Sequence, residues 1–306
     1  MVQVANSRPS AALSRRAVSL ALATCLLAMS GCGGGGNGSI AAPAPTPAPT
    51  PTPTPTPPTP PTTAVTSQTV ATLQSPWAMV FLPDGRLLVT ERGGNLRVVT
   101  QDGAVGSPIT GLPAISVGGQ GGLLDVALDP AYPANGLVYV SFSEADPTGV
   151  GLAVVRGRLQ VTPQGSGALS DVTVIWRQRP KIANDTRHYG GRMAFAPDGT
   201  LYVTAGERHQ GAPAQDQGTT LGKIIRIRSD GSIPADNPFV GQAGVLPEIW
   251  TRGHRNPYGL VFATDGRLFE SEMGPEGGDE FNLITRGSNY GWRIVSEGND
   301  GEVLPR

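Results

Sequence analysis

The residues best suited to chemistry are single polar side chains in glycine-rich segments that interrupt a repetitive sequence. His188 lies in residues 187–192 (Arg-His-Tyr-Gly-Gly-Arg), and imidazole is the side chain whose usual pKa suits proton abstraction near neutral pH. Gln120 presents one amide in residues 118–122 (Gly-Gly-Gln-Gly-Gly). A solvated histidine and a simple turn glutamine are the alternative interpretations, and neither segment decides between them alone.

A second segment places a cation and an amide side by side. Residues 253–257 read Gly-His-Arg-Asn-Pro, so that Arg255 and Asn256 are adjacent. A guanidinium is a planar fork of donors that matches carboxylates and carbonyl oxygens. The segment therefore fits a ligand with carboxylate or carbonyl oxygens, although an ion pair that holds two structural units together fits as well.

A third segment is rich in carboxylates. Residues 271–282 read Ser-Glu-Met-Gly-Pro-Glu-Gly-Gly-Asp-Glu-Phe-Asn. Carboxylates and the backbone carbonyls of Gly and Pro turns are the oxygen ligands that Ca²⁺ prefers. The spacing is not that of an EF-hand, and a solvated acidic loop is the alternative.

Several function classes lack support. The sequence has no Gly-x-Gly-x-x-Gly segment between a strand and a helix, no phosphate-binding Gly-x-x-x-x-Gly-Lys and no Gly-x-Ser-x-Gly. Three histidines and two cysteines are too few for a zinc cage, and the net charge of −1 indicates no nucleic-acid partner.

The elements that must position these residues are repeated hairpins. Residues 77–90, 192–204 and 258–271 each read as an apolar strand, an Asp-Gly turn and a second apolar strand, and residues 124–141 are a looser copy. The copies recur roughly every 45 to 70 residues, a spacing typical of propeller blades. We therefore predict an all-β propeller in preference to a two-sheet sandwich.

The N-terminal part predicts export. Arg15 and Arg16 precede an apolar run of about 13 residues, which ends in Met29-Ser-Gly-Cys32 and resembles a bacterial lipobox. The sequence thus predicts a lipoprotein signal peptide over residues 1–32 with lipidation at Cys32, and a Gly-rich and Pro/Thr-rich linker over 33–64. The expected product is an exported lipoprotein in the periplasm or on the outer membrane, touching the membrane only through its anchor. An ordinary signal peptide with an incidental cysteine is the alternative.

Taken in order, the segments after the linker resemble the glucose/sorbosone dehydrogenase family of soluble quinoproteins, in particular its aldose sugar dehydrogenases. The matching stretches are Ser75-Pro-Trp-Ala-Met-Val-Phe, Gly119-Gln-Gly-Gly-Leu-Leu, His188-Tyr-Gly-Gly-Arg, Gln215-Asp with Leu221-Gly-Lys-Ile, Gly253-His-Arg-Asn-Pro, and Glu272-Met-Gly-Pro with Asp279-Glu-Phe-Asn-Leu-Ile and Asn289-Tyr-Gly-Trp. The family fold is a six-bladed propeller. Residues 65–306 supply about four blades, so we expect this chain to be a C-terminally truncated form.

The resemblance implies oxidation of the anomeric C1 hydroxyl of aldoses to lactones by hydride transfer to pyrroloquinoline quinone (PQQ), with Ca²⁺ as a second cofactor. His188 would be the general base, and Arg255 would stabilise charge at the quinone oxygens. Asn256 and Gln120 would complete the contacts with the cofactor and the reacting centre. The physiological electron acceptor and the oligomeric state are not specified by the sequence.

The resemblance also implies two calcium sites. The matching positions are Gly274 and Pro275, whose carbonyls would bind the PQQ-bound ion, and Glu280 and Tyr290, which would belong to a second, structural ion. Two rival functions remain open: a calcium-dependent propeller lactonase, and a non-catalytic binding propeller on a lipid anchor.

Overall fold

The computed structural model describes residues 67–296, which form four antiparallel sheets and only two short helical turns. The first two sheets are β1 (Pro76–Phe81), β2 (Leu87–Glu91) and β3 (Asn95–Val99), followed by β4 (Leu123–Leu128), β5 (Leu137–Asp146), β6 (Gly149–Val161) and β7 (Gly167–Arg177). The third sheet contains β8 (Gly190–Phe195), β9 (Leu201–Ala205), β10 (Lys223–Ile227) and β11 (Ile249–Arg252). The fourth contains β12 (Pro257–Phe262), β13 (Leu268–Glu272) and β14 (Glu280–Ile284), and the helical turns are α1 (Tyr132–Asn135) and η1 (Ala212–Ala214).

The four sheets are four propeller blades, and the predicted hairpins are the first two strands of each. In the third blade, the turn between β8 and β9 has Gly199 at φ +80°, and Asp198 Oδ1 accepts the backbone N–H of Thr200 at 2.9 Å. Gly takes this left-handed conformation without a steric penalty, which explains why Asp-Gly recurs. The first and fourth blades repeat the arrangement at Asp84 and Asp265. The prediction of an all-β propeller-type fold with about four blades is confirmed.

The first strand of each blade lies innermost. Strand β1 packs against β4, β4 against β8, and β8 against β12. The segments that precede these inner strands meet at one end of the molecule, because Gln120 contacts His188 and Asn256 contacts Gly190. Polar residues placed just before inner strands therefore gather at the same end.

Three apolar layers lie between consecutive blades. Because side chains alternate across a strand, each sheet contributes to the layers on both of its faces. In β5, Val138, Val140 and Phe142 enter the layer shared with the first blade, whereas Tyr139 enters the layer shared with the third. Full burial of one such side chain contributes about 1.5–3 kcal/mol.

The first and fourth blades each have one face that no other described blade covers. Met79 and Phe81 of β1 are 65% and 63% exposed. On the fourth blade, Val261, Phe281 and Leu283 are exposed, and the rings of Phe269 and Phe281 stack with their centroids 5.3 Å apart.

The predicted signal peptide, Cys32 and the linker lie outside the described residues. Among residues 67–296, no helix has the length and apolar character needed to cross a membrane.

Candidate active site

The predicted base and the predicted cation occupy equivalent places in successive blades. His188 and Arg255 each lie seven residues before the last residue of an inner strand, Phe195 in β8 and Phe262 in β12. His188 has a left-handed backbone, with φ of +50°. Such a conformation is unfavourable for a non-glycine residue and is concentrated at functional sites.

His188 forms a short hydrogen-bonded pair with a glutamate. Its Nδ1 lies 2.6 Å from Oε1 of Glu207, and their side chains are only 6% and 1% exposed. Glu207 Oε2 accepts the backbone N–H of Gly211 at 2.5 Å, which fixes the carboxylate. Because an ionised carboxylate only accepts hydrogen bonds, we assign the proton to Nδ1, and Nε2 then carries the lone pair. Within residues 67–296, Nε2 makes no hydrogen bond.

Gln120 supports the same histidine from the second blade. Its Oε1 accepts the backbone N–H of His188 at 2.7 Å and the hydroxyl of Tyr258 at 3.3 Å. The amide oxygen thus links the starts of three inner strands and holds the strained backbone at His188.

Glu207 connects the histidine to the arginine. The backbone N–H of Glu207 donates to the carbonyl of Arg255 at 2.9 Å. Both residues line a cavity of about 290 Å³, whose other lining residues are His209, Gly211, Pro275, Trp292 and Arg293. A larger surface depression of about 760 Å³ beside β7 contains none of the predicted site residues. We therefore place the candidate site in the smaller cavity.

A second glutamate fixes the backbone of the Arg-Asn pair. Glu272, at the end of β13, accepts the backbone N–H groups of Arg255 and Asn256 on Oε2, at 2.5 and 3.1 Å. The Arg255 guanidinium donates to the carbonyl of Met273 at 3.0 Å and lies 5.4 Å from the ring centre of Trp292.

The donors around the cavity suit an acceptor-rich ligand such as PQQ. Asn256 Nδ2 and Trp292 Nε1 are buried and have no hydrogen-bond partner in the described part of the chain. Buried donors are normally satisfied, so these two atoms indicate a missing acceptor. Trp292 and Arg255 line the cavity, and Asn256 follows Arg255 in the chain, so these donors suit a ligand that is rich in acceptor oxygens.

The structure separates the four predicted calcium residues into two places. Pro275 lines the cavity, and the N–H of neighbouring Gly274 donates to Asp279 Oδ1 at 3.0 Å. Glu280 lies on β14 opposite Glu272. The Tyr290 hydroxyl donates to the carbonyl of Leu283 at 2.7 Å. The first pair is therefore at the cavity and the second pair is beside the last sheet.

Buried carboxylates adjoin Glu280. Glu270, Glu272 and His254 bring one potential ligand atom each to within 4.8 Å of one another. Asn282 Nδ2 donates to both Glu270 and Glu280, at 3.1 and 3.0 Å, while Glu270 Oε1 is buried without a hydrogen-bond partner among the described residues. Burial and the charge of Glu272 raise the pKa of Glu270 to about 9. This acidic cluster can hold a cation or a proton.

Sequence reasoning missed Glu207, which stands in no predicted motif, and assigned no role to Glu272, although Glu272 begins the matching stretch Glu272-Met-Gly-Pro. The available signal was positional, since each lies at or just after the second strand of a repeated hairpin.

Comparisons with known proteins identify the family of the chain. Residues 73–303 match the family model described as Glucose / Sorbosone dehydrogenase. The chain is 39% identical over 229 residues to aldose sugar dehydrogenase YliI of Escherichia coli (strain K12), covering 74% of this chain and 61% of that protein. It is 32% identical over 265 residues to quinoprotein glucose dehydrogenase B of Acinetobacter calcoaceticus, covering 74% and 52%.

A solved structure of similar type contains the cofactor. The PQQ-bound form of aldose sugar dehydrogenase (Adh) from Streptomyces coelicolor superposes with a TM-score of 0.66 at 34% identity, over 78% of this chain and 69% of that one. The chain spans only about half to three fifths of the length of the curated relatives it matches.

Proposed function

The chain belongs to the glucose/sorbosone dehydrogenase family, and we propose that it oxidises the anomeric hydroxyl of an aldose to a lactone with PQQ and Ca²⁺. One observation supports this proposal most strongly: Glu207, which holds His188 Nδ1, and Arg255 line a single cavity, and the His188 ring contacts that of His209, another lining residue. A base and a cation at one cavity are what removal of a hydroxyl proton and stabilisation of a developing negative charge require.

PQQ, when bound, supplies the acceptor for the hydride that leaves C1. His188 takes the proton of the C1 hydroxyl on Nε2. Glu207 holds the ring through Nδ1 and stabilises the imidazolium that forms, as the carboxylate does in a catalytic triad. Because Glu207 is itself fixed by Gly211, the base is held in one orientation before substrate arrives.

Arg255 and Asn256 would hold the cofactor. Their backbone is fixed by Glu272, so the two side chains project from a rigid segment. The Arg255 guanidinium would meet oxygens on which negative charge develops, and Asn256 Nδ2 would gain the acceptor it lacks. Gln120 would hold the backbone of His188 in place relative to Arg255 and Asn256.

Calcium would bind at two places. Gly274 and Pro275, beside the cavity, would offer backbone carbonyls to the ion that accompanies PQQ. Glu280 and Tyr290 would serve a second ion next to the acidic cluster of Glu270 and Glu272. Carboxylate and carbonyl oxygens are the ligands that Ca²⁺ prefers.

The test is dye reduction by the purified chain loaded with PQQ and Ca²⁺. We expect reduction that depends on added aldose and is abolished in His188→Ala, with PQQ absorbance changes showing that the variant still binds cofactor. Retained turnover in the variant would remove His188 from the mechanism. Hydrolysis of sugar lactones without PQQ would instead support a lactonase. The absence of both activities would support a non-catalytic binding propeller.

We also propose that the chain is exported and lipidated at Cys32. The support is the order of segments in residues 15–32, where two arginines are followed by an apolar run and then by the lipobox-like Met29-Ser-Gly-Cys32. Labelling cells with a radioactive fatty acid should mark the wild-type protein and not Cys32→Ser. Equal labelling of both would contradict the anchor.

A further inference from the structure

Two consecutive non-glycine residues with left-handed backbones follow Glu207. Arg208 has φ of +59° and His209 has φ of +57°. This conformation is unfavourable for a non-glycine residue and persists only where other contacts fix it. Those contacts come from the buried guanidinium of Arg208, which donates to three backbone carbonyls, those of Arg187 (2.9 Å), Val150 (2.6 Å) and Asp185 (2.5 Å).

The fixed backbone places the His209 imidazole at the cavity. His209 lines it with Glu207 and Arg255, and its ring contacts that of His188 edge to face, with centroids 5.1 Å apart. Its side chain is 43% exposed, against 6% for His188 and 0% for His254. Of the chain's three histidines, His209 alone combines a cavity position with free access to solvent.

Asp185 orients this ring. Its Oδ2 lies 3.3 Å from His209 Nδ1. Burial raises the pKa of Asp185, but hydrogen bonds from Arg187 outweigh that effect and lower it, so the carboxylate is ionised at neutral pH. The other ring nitrogen, Nε2, makes no hydrogen bond within residues 67–296 and is available to a ligand.

We propose that His209 is a specificity-determining residue, whose Nε2 hydrogen-bonds a sugar hydroxyl other than the one that His188 deprotonates. The inference rests on the proposed function, since it assumes an aldose in the cavity. An imidazole nitrogen can accept from or donate to a hydroxyl, and the two rings are near enough to contact different hydroxyls of one monosaccharide. A site that hydrogen-bonds one hydroxyl discriminates against sugars in which that hydroxyl is absent or inverted.

The decisive variant is His209→Gly, because glycine suits the left-handed backbone and the change should not impair folding. We expect the KM for the preferred aldose to rise about tenfold, kcat to change less, and the ratio of kcat/KM values for D-glucose, D-galactose and D-xylose to shift toward equality. His209→Asn, which tolerates the same backbone and retains a hydrogen-bonding group, should recover part of the loss. PQQ affinity, measured by absorbance titration, should be unchanged.

Asp171→Gly is the matched control. Asp171 also has a left-handed backbone, with φ of +53°, but lies on β7 away from the cavity. It should change thermal stability without changing any sugar KM. Unchanged KM values and sugar ratios in His209→Gly would overturn the proposal.

A second measurement separates this inference from the proposed function. Saturation-transfer NMR of the same sugars at millimolar concentration needs neither cofactor nor turnover. If the chain shows no dye reduction but wild type gives sugar signals that His209→Gly loses, the binding role stands and the oxidation fails. Equal signals in both proteins, or none in wild type, would overturn the role of His209.

Discussion

The molecule contains two buried histidine–glutamate pairs, and they differ in what the second ring nitrogen does. His188 bonds Glu207 through Nδ1 and has no hydrogen bond at Nε2 among the described residues. His254 has Nδ1 3.2 Å from Glu272 and Nε2 2.9 Å from the hydroxyl of Thr251. Its ring is also stacked on Tyr290. The same pair therefore leaves one ring nitrogen of His188 without a hydrogen bond in the third blade, whereas at His254 it is a structural brace beside the fourth.

The glutamates differ in the same way. Glu207 uses its second oxygen to hold one loop N–H, that of Gly211. Glu272 uses its second oxygen to hold the N–H groups of both Arg255 and Asn256. The first carboxylate holds one imidazole ring in place, whereas the second positions the residues that would meet the cofactor.

The strongest test of the comparison replaces each histidine by alanine. His188→Ala should lower kcat by about 10³-fold or more, because the base is lost, with little change in thermal stability. His254→Ala should instead destabilise the fold by about 3 kcal/mol, or roughly 10 °C in Tm, since a buried ring and two hydrogen bonds are removed. Steady-state kinetics and thermal melts would measure both. An inactive but fully stable His254→Ala would erase the distinction.

The next effect concerns the carboxylate behind the base. Glu207→Gln keeps the shape but removes the charge that stabilises the imidazolium, so we expect kcat to fall by about 10²-fold. Glu91→Gln is a suitable control, because Glu91 is an equally buried strand-end glutamate that pairs with Arg97 in the first blade. Its kcat per folded molecule should match wild type, and equal losses in both variants would point to general destabilisation.

Glu272→Gln should act on cofactor affinity. The neutral amide oxygen accepts the two backbone N–H groups more weakly than a carboxylate does, and the amide NH₂ replaces the oxygen that faces His254 Nδ1, which should destabilise the fold by about 1–3 kcal/mol. Because Arg255 and Asn256 lose their support, PQQ should bind about tenfold more weakly in an absorbance titration. Unchanged affinity would show that this brace does not position the cofactor residues.

The smallest expected effect is a pH dependence of the thermal stability, caused by Glu270 in the acidic cluster. In EDTA, the stability contributed by Glu270 is fully present below its ordinary pKa of 4.5 and is lost as the pH rises toward the folded-state value of about 9, because the native state binds the extra proton. Wild-type Tm should therefore fall by a few degrees between pH 5 and pH 9, and Glu270→Gln should flatten the curve. Millimolar Ca²⁺ should raise the Tm of wild type at high pH more than that of the variant. Parallel curves would exclude Glu270 as the titrating group.

Sequence reasoning predicted the inner half of each blade and missed much of the outer half. The Asp-Gly turns marked β1, β2, β8, β9, β12 and β13, because the turn geometry selects those residues locally. Strand β10 could not be predicted from the sequence, because two of its five buried residues, Lys223 and Arg226, carry charged side chains. Lys223 donates to the carbonyls of Pro213, Ala214 and Leu221, and such compensation by distant groups leaves no local signature.

The same limit applies to the candidate site. Gln120, His188 and Arg255 were predicted from short motifs whose order along the chain matched the family. His209 was not singled out, because its position depends on a backbone conformation that Arg208 fixes through carbonyls far away in sequence. Nothing in the sequence around a single histidine indicates that its backbone is held in a left-handed conformation.

The open faces of the outer blades imply uneven local stability. The second and third blades are packed on both sides, whereas the fourth has Phe281 and Leu283 turned to solvent. Amide exchange should therefore be slowest in the middle of the molecule and faster in β12–β14. The side of the cavity that Glu207 and His209 line then stands on the more rigid scaffold, and the side that Arg255 and Pro275 line stands on the more labile one. A ligand that contacts both sides should therefore slow amide hydrogen exchange mainly in the fourth blade.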